Sequence, residues 1–164
     1  MPTTYEPIGT TTTSSSTTTI SFTSIPSTYT DLIIVASTSM VSNASNNNYY
    51  ATYNSDTGTN YSGTYVGGTG TSTSSGRATS QTRLDIAYQP STAMGNIIFH
   101  VLNYSNTTTY KTSLSRSNNY TGGMVFAYVG LWRSTAAITS ISITAGTTNI
   151  ATNSTFSLYG IKAA

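Results

Sequence analysis

The sequence predicts an all-β protein: an antiparallel β-sandwich of jelly-roll type, with about nine strands. Three observations carry that expectation. Apolar and polar residues alternate with a period of two in one segment after another. Turn signals recur at intervals near ten residues, the spacing of sandwiches and jelly rolls. No segment shows the i, i+3, i+4, i+7 apolar spacing of an amphipathic helix.

Composition decides how the hydroxyl-rich stretches are read. Ser and Thr together supply 61 of 164 residues, and charged residues only 6%, against roughly 25% in an ordinary soluble domain. Disordered chains pair low hydrophobicity with high net charge. Here 37% of residues are hydrophobic, 11% are aromatic and the net charge is +2. Threonine's β-branched carbon stiffens χ1 and suits a pleated surface. The run TTTTSSSTTT (10–19) therefore reads as the start of a strand in its second half, with Ser14-Ser15-Ser16 as the bend. Residues 1–16 read as an extended N-terminal arm, and 17–164 as a single sandwich domain. In the arm, Tyr5, Pro7 and Ile8 are expected to leave the sandwich and contact a neighbouring protein.

The elements follow in order. ISFTSI (20–25) alternates Ile20 and Phe22 against Ser21 and Thr23, and Pro26 ends it because it has no N–H to give a ladder. DLIIVASTSMV (31–41) starts as a continuous apolar run, which marks a strand covered on both faces. NNYYATYNSDTG (47–58) aligns Tyr49, Ala51 and Tyr53, then turns at Ser55–Gly58. NYSGTYVGG (60–68) returns from that turn. GGTGTSTSSG (67–76) has no apolar residue and reads as a loop. RLDIAY (83–88) alternates, QPSTAMG (89–95) is a loop, and NIIFHVLNY (96–104) is a second central strand. It is expected to pair as a hairpin with YKTSLSR (110–116), across an Asn-Thr turn. SNNYTGG (117–123) is a loop. GMVFAYVGLWR (123–133), AITSISITA (137–145) and TFSLYGIKAA (155–164) complete the set.

Several function classes are poorly served by this inventory. The six cations (Arg77, Arg83, Lys111, Arg116, Arg133 and Lys162) are scattered, with no cluster to neutralise phosphates, so no nucleic-acid partner is expected. No apolar run approaches the roughly 20 residues of a membrane-spanning helix, so no membrane partner is expected. The N-terminus carries no signal-peptide pattern, which points to a chain made and released in the cytosol. There is no Cys for a disulfide scaffold. Glu6, Asp31, Asp56 and Asp85 are the only carboxylates and His100 the only histidine. A two-carboxylate hydrolase or a Ser-His-Asp triad would have to be built from these few groups. No Gly-x-Ser-x-Gly elbow is present, and His100 sits inside IIFHVL as a sheet residue. Metal sites lack ligands. The sequence thus predicts no catalytic residue, no cofactor and no metal. Trp132 reads as core or interface packing, with a sugar-stacking platform as the sharper alternative. Asn46-Asn47-Asn48-Tyr49-Tyr50, with the loop around Tyr65, offers amides and aromatic faces of the kind that suit sugars. Tyr49, Tyr50 and Tyr65 are therefore partner-contact candidates alongside the arm.

Four segments carry a family likeness: TTYEPIGT near the start, SFTSIPSTYTDLIIVAS (21–37), NYSNTTTYKTSLSR (103–116), and LWRSTAAITSISI with STFSLYGIKAA (131–143, 154–164). Together they resemble virion structural proteins of tailed phages, particularly phages of cyanobacteria and other aquatic bacteria. The resemblance implies a β-sandwich mounted on the particle. In its leading form it implies a homotrimeric capsid decoration, or cement, protein bound to the major capsid protein. The protein would then be made in the infected bacterium's cytoplasm and reside on the capsid surface of the virion. The alternative it implies is a tail-fibre or receptor-binding module that recognises host-surface carbohydrate.

Overall fold

The computed structural model describes residues 4–43, 47–88, 92–119 and 123–162. It is all-β and antiparallel. The strands are β1 (Tyr5–Thr12), β2 (Thr19–Phe22), β3 (Asp31–Thr38), β4 (Asn48–Tyr53), β5 (Tyr61–Gly68) and β6 (Thr73–Gln81). They continue with β7 (Leu84–Tyr88), β8 (Gly95–Val101), β9 (Lys111–Asn119), β10 (Met124–Trp132), β11 (Ile141–Ala145) and β12 (Thr155–Ile161). An eight-stranded sheet has the order β1-β12-β3-β8-β9-β10-β5-β6, and a four-stranded sheet the order β2-β11-β4-β7. The chain switches sheet at every connection except β5–β6, β8–β9 and β9–β10.

Period-two alternation builds the core between the layers. Leu32, Ile34 and Ala36 of β3, Ile97, Phe99 and Val101 of β8, and Phe156 and Leu158 of β12 point inward from the large sheet. Ile20, Phe22, Tyr49, Ala51, Tyr53, Leu84, Ile86, Ile141 and Ile143 face them from the small one. Tyr53 stacks on Phe99 with ring centroids 6.4 Å apart. Tyr49 is fully buried, its hydroxyl 2.6 Å from Thr38 Oγ1.

Twelve strands stand where about nine were expected, and two of the additions have clear physical causes. β6 overlaps the segment read as the loop 67–76. It has no apolar alternation, yet it pairs with β5 from Tyr61↔Gln81 to Gly68↔Thr73. The pairing partner, not its own side chains, makes it a strand. The second is β1. Residues 5–12 do not leave the sandwich as an arm; they form an edge strand in register with β12, from Tyr5↔Ile161 to Thr12↔Thr155. An unpaired edge of β12 would leave a row of N–H and C=O groups open. The threonines reinforce the pairing: Thr10 meets Ser157 and Thr12 meets Thr155, each at 2.9 Å between hydroxyls. Thr13 then turns inward, donating to the Ala151 carbonyl at 2.7 Å. Across the four-stranded sheet, Thr19–Thr144 (3.2 Å) and Ser21–Ser142 (2.9 Å) repeat the device. The hydroxyl run is therefore strand at both ends, with the bend between them.

The expected β8–β9 hairpin forms, from Ile97↔Ser117 to Val101↔Ser113. Its turn is held by Asn106 Oδ1, which accepts the N–H groups of Thr108 (2.7 Å) and Thr109 (2.9 Å). The turn after β4 spans Tyr53–Asp56, two residues earlier than the sequence suggested. Asn54 and Ser55 both have positive φ (51° and 57°), and Asp56 N–H donates to Tyr53 O at 2.8 Å, the backbone of a type I′ turn.

Candidate functional site

Two surfaces stand out against the hydroxyl-covered remainder. The first is the outer face of the eight-stranded sheet. Strand register sets Ile33, His100, Leu114 and Val129 side by side across β3, β8, β9 and β10. The adjacent row is Val35, Ile98, Arg116, Ala127 and Val66. Outward positions of an antiparallel sheet that meets water are ordinarily polar. Here Val66 is 59% exposed and Val125 62%, with Val35, Leu114 and Val129 also open to solvent. Val66, Ile98, Val125 and Ala127 line a shallow depression of about 520 Å³, with Arg116 at its side.

The second surface lies on the inner side of the same sheet. The large sheet runs past β7, which packs along β9 and β10, so β5, β6 and the β5-facing side of β10 overhang. Trp132 and Tyr61 of these strands are core, but toward the other end the inward residues form an aromatic cleft, with Tyr128 buried at its floor. Phe126 and Tyr128 come from β10, Tyr65 from β5, and Tyr88 of β7 closes the side. Centroid separations are 5.3 Å for Tyr88–Phe126, 6.0 Å for Phe126–Tyr128 and 5.6 Å for Tyr65–Tyr128. Glycines opposite in register allow this. Gly67 lies opposite Phe126 and Gly76 opposite Tyr65. A Cβ at either would fall 2.4 Å or 2.6 Å from the ring, so each ring lies across its neighbour strand's backbone. Asp85 and Asn48 supply the polar wall, with Asn48 Nδ2 donating to Asp85 Oδ1 at 2.8 Å. The cleft is about 360 Å³, and an adjoining recess of about 240 Å³ shares Tyr65, Asp85 and Tyr128 with it. Burial foremost, and then the charge of Asp85, push the Tyr128 hydroxyl's pKa upward, so it is a neutral group at physiological pH.

The sequence-derived candidates divide between these places. Tyr65 lines the cleft. Tyr50 sits at its margin, with the Arg83 guanidinium 3.5 Å above the ring. Tyr49 belongs to the core, because the alternation that turns Tyr50 outward turns it inward; the structure corrects its assignment as a contact residue. Asn46 lies outside the described residues. Tyr5 is exposed at the β1 edge, Pro7 lies at a register shift, and Ile8 packs against the core. Sequence reading missed Tyr88, Asp85, Phe126 and Tyr128. The β10–β5 pairing, across a long sequence separation, brings Phe126 and Tyr128 to Tyr65, and the packing of β7 against the large sheet brings Tyr88 and Asp85.

The ionisable groups are dispersed. His100 Nε2 lies 3.3 Å from Asp31 Oδ2 on the outer face, and Asp31 Oδ1 accepts the Asn103 N–H at 2.6 Å. Asp56 holds the buried Trp132 indole by a 2.7 Å bond from Nε1. Lys111 is buried, its Nζ donating to the Thr109 and Thr135 carbonyls at 2.7 and 3.2 Å, and burial lowers its pKa. Among the described residues no three His, Asp or Glu side chains converge as metal ligands.

No protein-family model matches the chain, and no curated protein or solved structure matches it.

Proposed function

We propose that this chain is a non-enzymatic virion structural protein, a capsid decoration protein that binds and stabilises an assembled phage shell. One observation carries the reading: the largely apolar outer face of the eight-stranded sheet, interrupted only by His100 and Arg116 in its two central rows. An exposed apolar patch on a soluble protein marks an interaction site. With few charges around it, such a face suits close and lasting protein contact better than fast, electrostatically steered binding. The likeness of the four sequence segments to tailed-phage virion proteins supports the same partner, the major capsid protein. It also supports a homotrimer on the shell, which sedimentation at several concentrations tests; a strict monomer counts against that part.

Strand order supports the jelly-roll form within this reading. Set aside the hairpins β5–β6 and β9–β10, and renumber the remaining eight strands in chain order. The sheets then run 1-8-3-6 and 2-7-4-5, the arrangement of two interlocked Greek keys. The two hairpins widen one sheet beyond the other, which creates both the broad outer face and the overhang.

Binding to assembled shell but not to free subunits stabilises the shell by mass action. The test is co-sedimentation with shells lacking this protein. The wild type is expected to sediment with them and raise their melting temperature. Val66→Asp with Val125→Asp, both at open positions, is expected to lose at least tenfold in binding while folding normally. Binding unaffected by the pair, or no binding by the wild type, overturns the proposal.

The aromatic cleft favours a second reading, a receptor-binding module of the tail. Inhibition of phage adsorption to host cells by the isolated protein would select it over decoration.

A further inference from the structure

We infer that the cleft beneath the β10-β5-β6 overhang is a binding site for a neutral pyranose saccharide. The inference stands on the cleft alone and holds whether the protein sits on shell or tail.

The rings decide the class of ligand. Tyr65, Phe126 and Tyr128 lie within 5.6–6.1 Å of one another, at interplanar angles of 57°, 37° and 30°. Rings that close pack against each other and leave no box for a cation to enter. An aromatic cage must instead surround its quaternary ammonium with ring faces. What this geometry offers is a folded platform, shallow between Phe126 and Tyr128 and steeper where Tyr65 meets Phe126. Gly67 and Gly76 extend it, because each lets a ring settle over the neighbouring strand and turn its opposite face to the cleft. The C–H face of a pyranose is apolar and of matching width, while its hydroxyls project from the ring edge. Aromatic residues with one apolar and one wet side suit such a ligand.

The polar groups decide its charge and orientation. Asn48 engages Asp85 Oδ1, and no described residue donates to Asp85 Oδ2. Among the described residues that oxygen is open, beside the platform, and placed to take hydroxyl hydrogens from the edge of a stacked sugar. Asp85 is the one charged residue lining the cleft itself, and its repulsion disfavours uronic and sialic acids there, while Arg77 lines only the adjoining recess. Thr69, Ser72 and Ser74 stand opposite, in the same cleft, and their hydroxyls both donate and accept. A mostly apolar recess of a few hundred Å³ with a few convergent polar groups is the usual form of a small-ligand site. The glycine-backed platform is also hard to explain by stability alone. Tyr128 is buried, yet Tyr65, Tyr88 and Phe126 each stay partly open to the cleft, which packing for stability alone would cover.

Saturation-transfer-difference NMR on the full chain tests this. The probes are the methyl glycosides of glucose, galactose, mannose and N-acetylglucosamine, with methyl glucuronide and choline as the charged arms. At least one neutral glycoside is expected to show transfer concentrated on the C–H protons of one ring face. The glucuronide and choline are expected to show none. Tyr65→Ala and, separately, Asp85→Asn should each weaken the binding at least tenfold, whereas Val129→Ser on the outer face should leave it unchanged. Thermal melts accompany each variant, and because the two cleft substitutions remove different groups, either folded variant suffices. Absence of transfer to every neutral glycoside overturns the inference. So does choline competing for the site, or binding that survives in whichever cleft variant folds.

Discussion

Replacing Asp56 by Ala should weaken the fold by about 3 kcal/mol. The carboxylate accepts three hydrogen bonds at the exit of the β4 turn: from Trp132 Nε1 at 2.7 Å, Asn60 Nδ2 at 2.9 Å and the Gly58 N–H at 2.8 Å. The first matters most. Trp132 is 2% exposed, and stranding a buried indole N–H costs roughly 1–3 kcal/mol. The other two lie near solvent, where each contributes about 0.5 kcal/mol, toward the lower end for hydrogen bonds. For a domain of this size, roughly 2–4 °C of melting temperature correspond to 1 kcal/mol, so the variant should melt about 6–12 °C lower. Asp56→Asn keeps the acceptor but not the charge, and should fall between. Burial acts to raise the Asp56 carboxyl, but hydrogen bonds from Trp132, Asn60 and Gly58 outweigh it and hold the group below its ordinary value of 3.8. A depressed carboxyl contributes stability that is present above the unfolded value and lost as pH falls through the folded one. Wild type should therefore lose its advantage over Asp56→Asn as pH drops below about 4. Thermal melts followed by Trp132 fluorescence and far-ultraviolet dichroism read both effects. An Ala variant that melts within about 1 °C of wild type at pH 7 would refute the reasoning, since surface substitutions cost that little.

Other expectations follow from the same structure. Burial pushes the Tyr61 hydroxyl up to about 12, and does more to Tyr49 and Tyr53. Raised folded values mean stability that is whole below pH 10 and is lost as pH climbs toward and through 12. Absorbance at 295 nm should show these phenols ionising in one cooperative step together with loss of dichroism; a smooth titration that leaves the fold intact would contradict it. Gly160→Ala places a Cβ 2.2 Å from the Tyr29 ring and should cost about 1–3 kcal/mol in urea unfolding. Gly63→Ala, whose nearest neighbour would be the Val129 carbonyl at 3.4 Å, should cost distinctly less; equal costs would show that Tyr29 yields freely.

Strands that bury one face were legible in the sequence because burial writes its period there. β8 is an example, with Ile97, Phe99 and Val101 marking the inward side directly; in β3 Leu32, Ile34 and Ala36 are inward, but its continuous apolar run signalled cover on both faces, whereas Val35 on the outer face is exposed. β6 was not legible. Its burial pattern is nearly uniform exposure, so nothing in residues 73–81 signals the pairing that β5 imposes. β1 was misassigned for a related reason. A Thr-rich edge strand and a Thr-rich extended arm have the same composition, and only the register with β12 separates them. At the cleft, Tyr65 and the Asn48–Tyr50 stretch were visible as chemistry, but not their convergence. Sheet order decides that Phe126 and Tyr128 stand beside Tyr65, and sheet order is a property of long-range pairing. The excess of valine and leucine on the outer face was in plain view along each strand, but it became a patch only once five strands were laid side by side.

The account depends most on what the broad outer face of the eight-stranded sheet touches. If the chain is the proposed decoration protein, a reconstruction of a phage particle containing it reads this directly. The account predicts density for the protein on the capsid, with Val66, Val125 and Val129 covered by the major capsid protein. The same residues facing solvent on the shell, or the protein found on the tail alone, would contradict it.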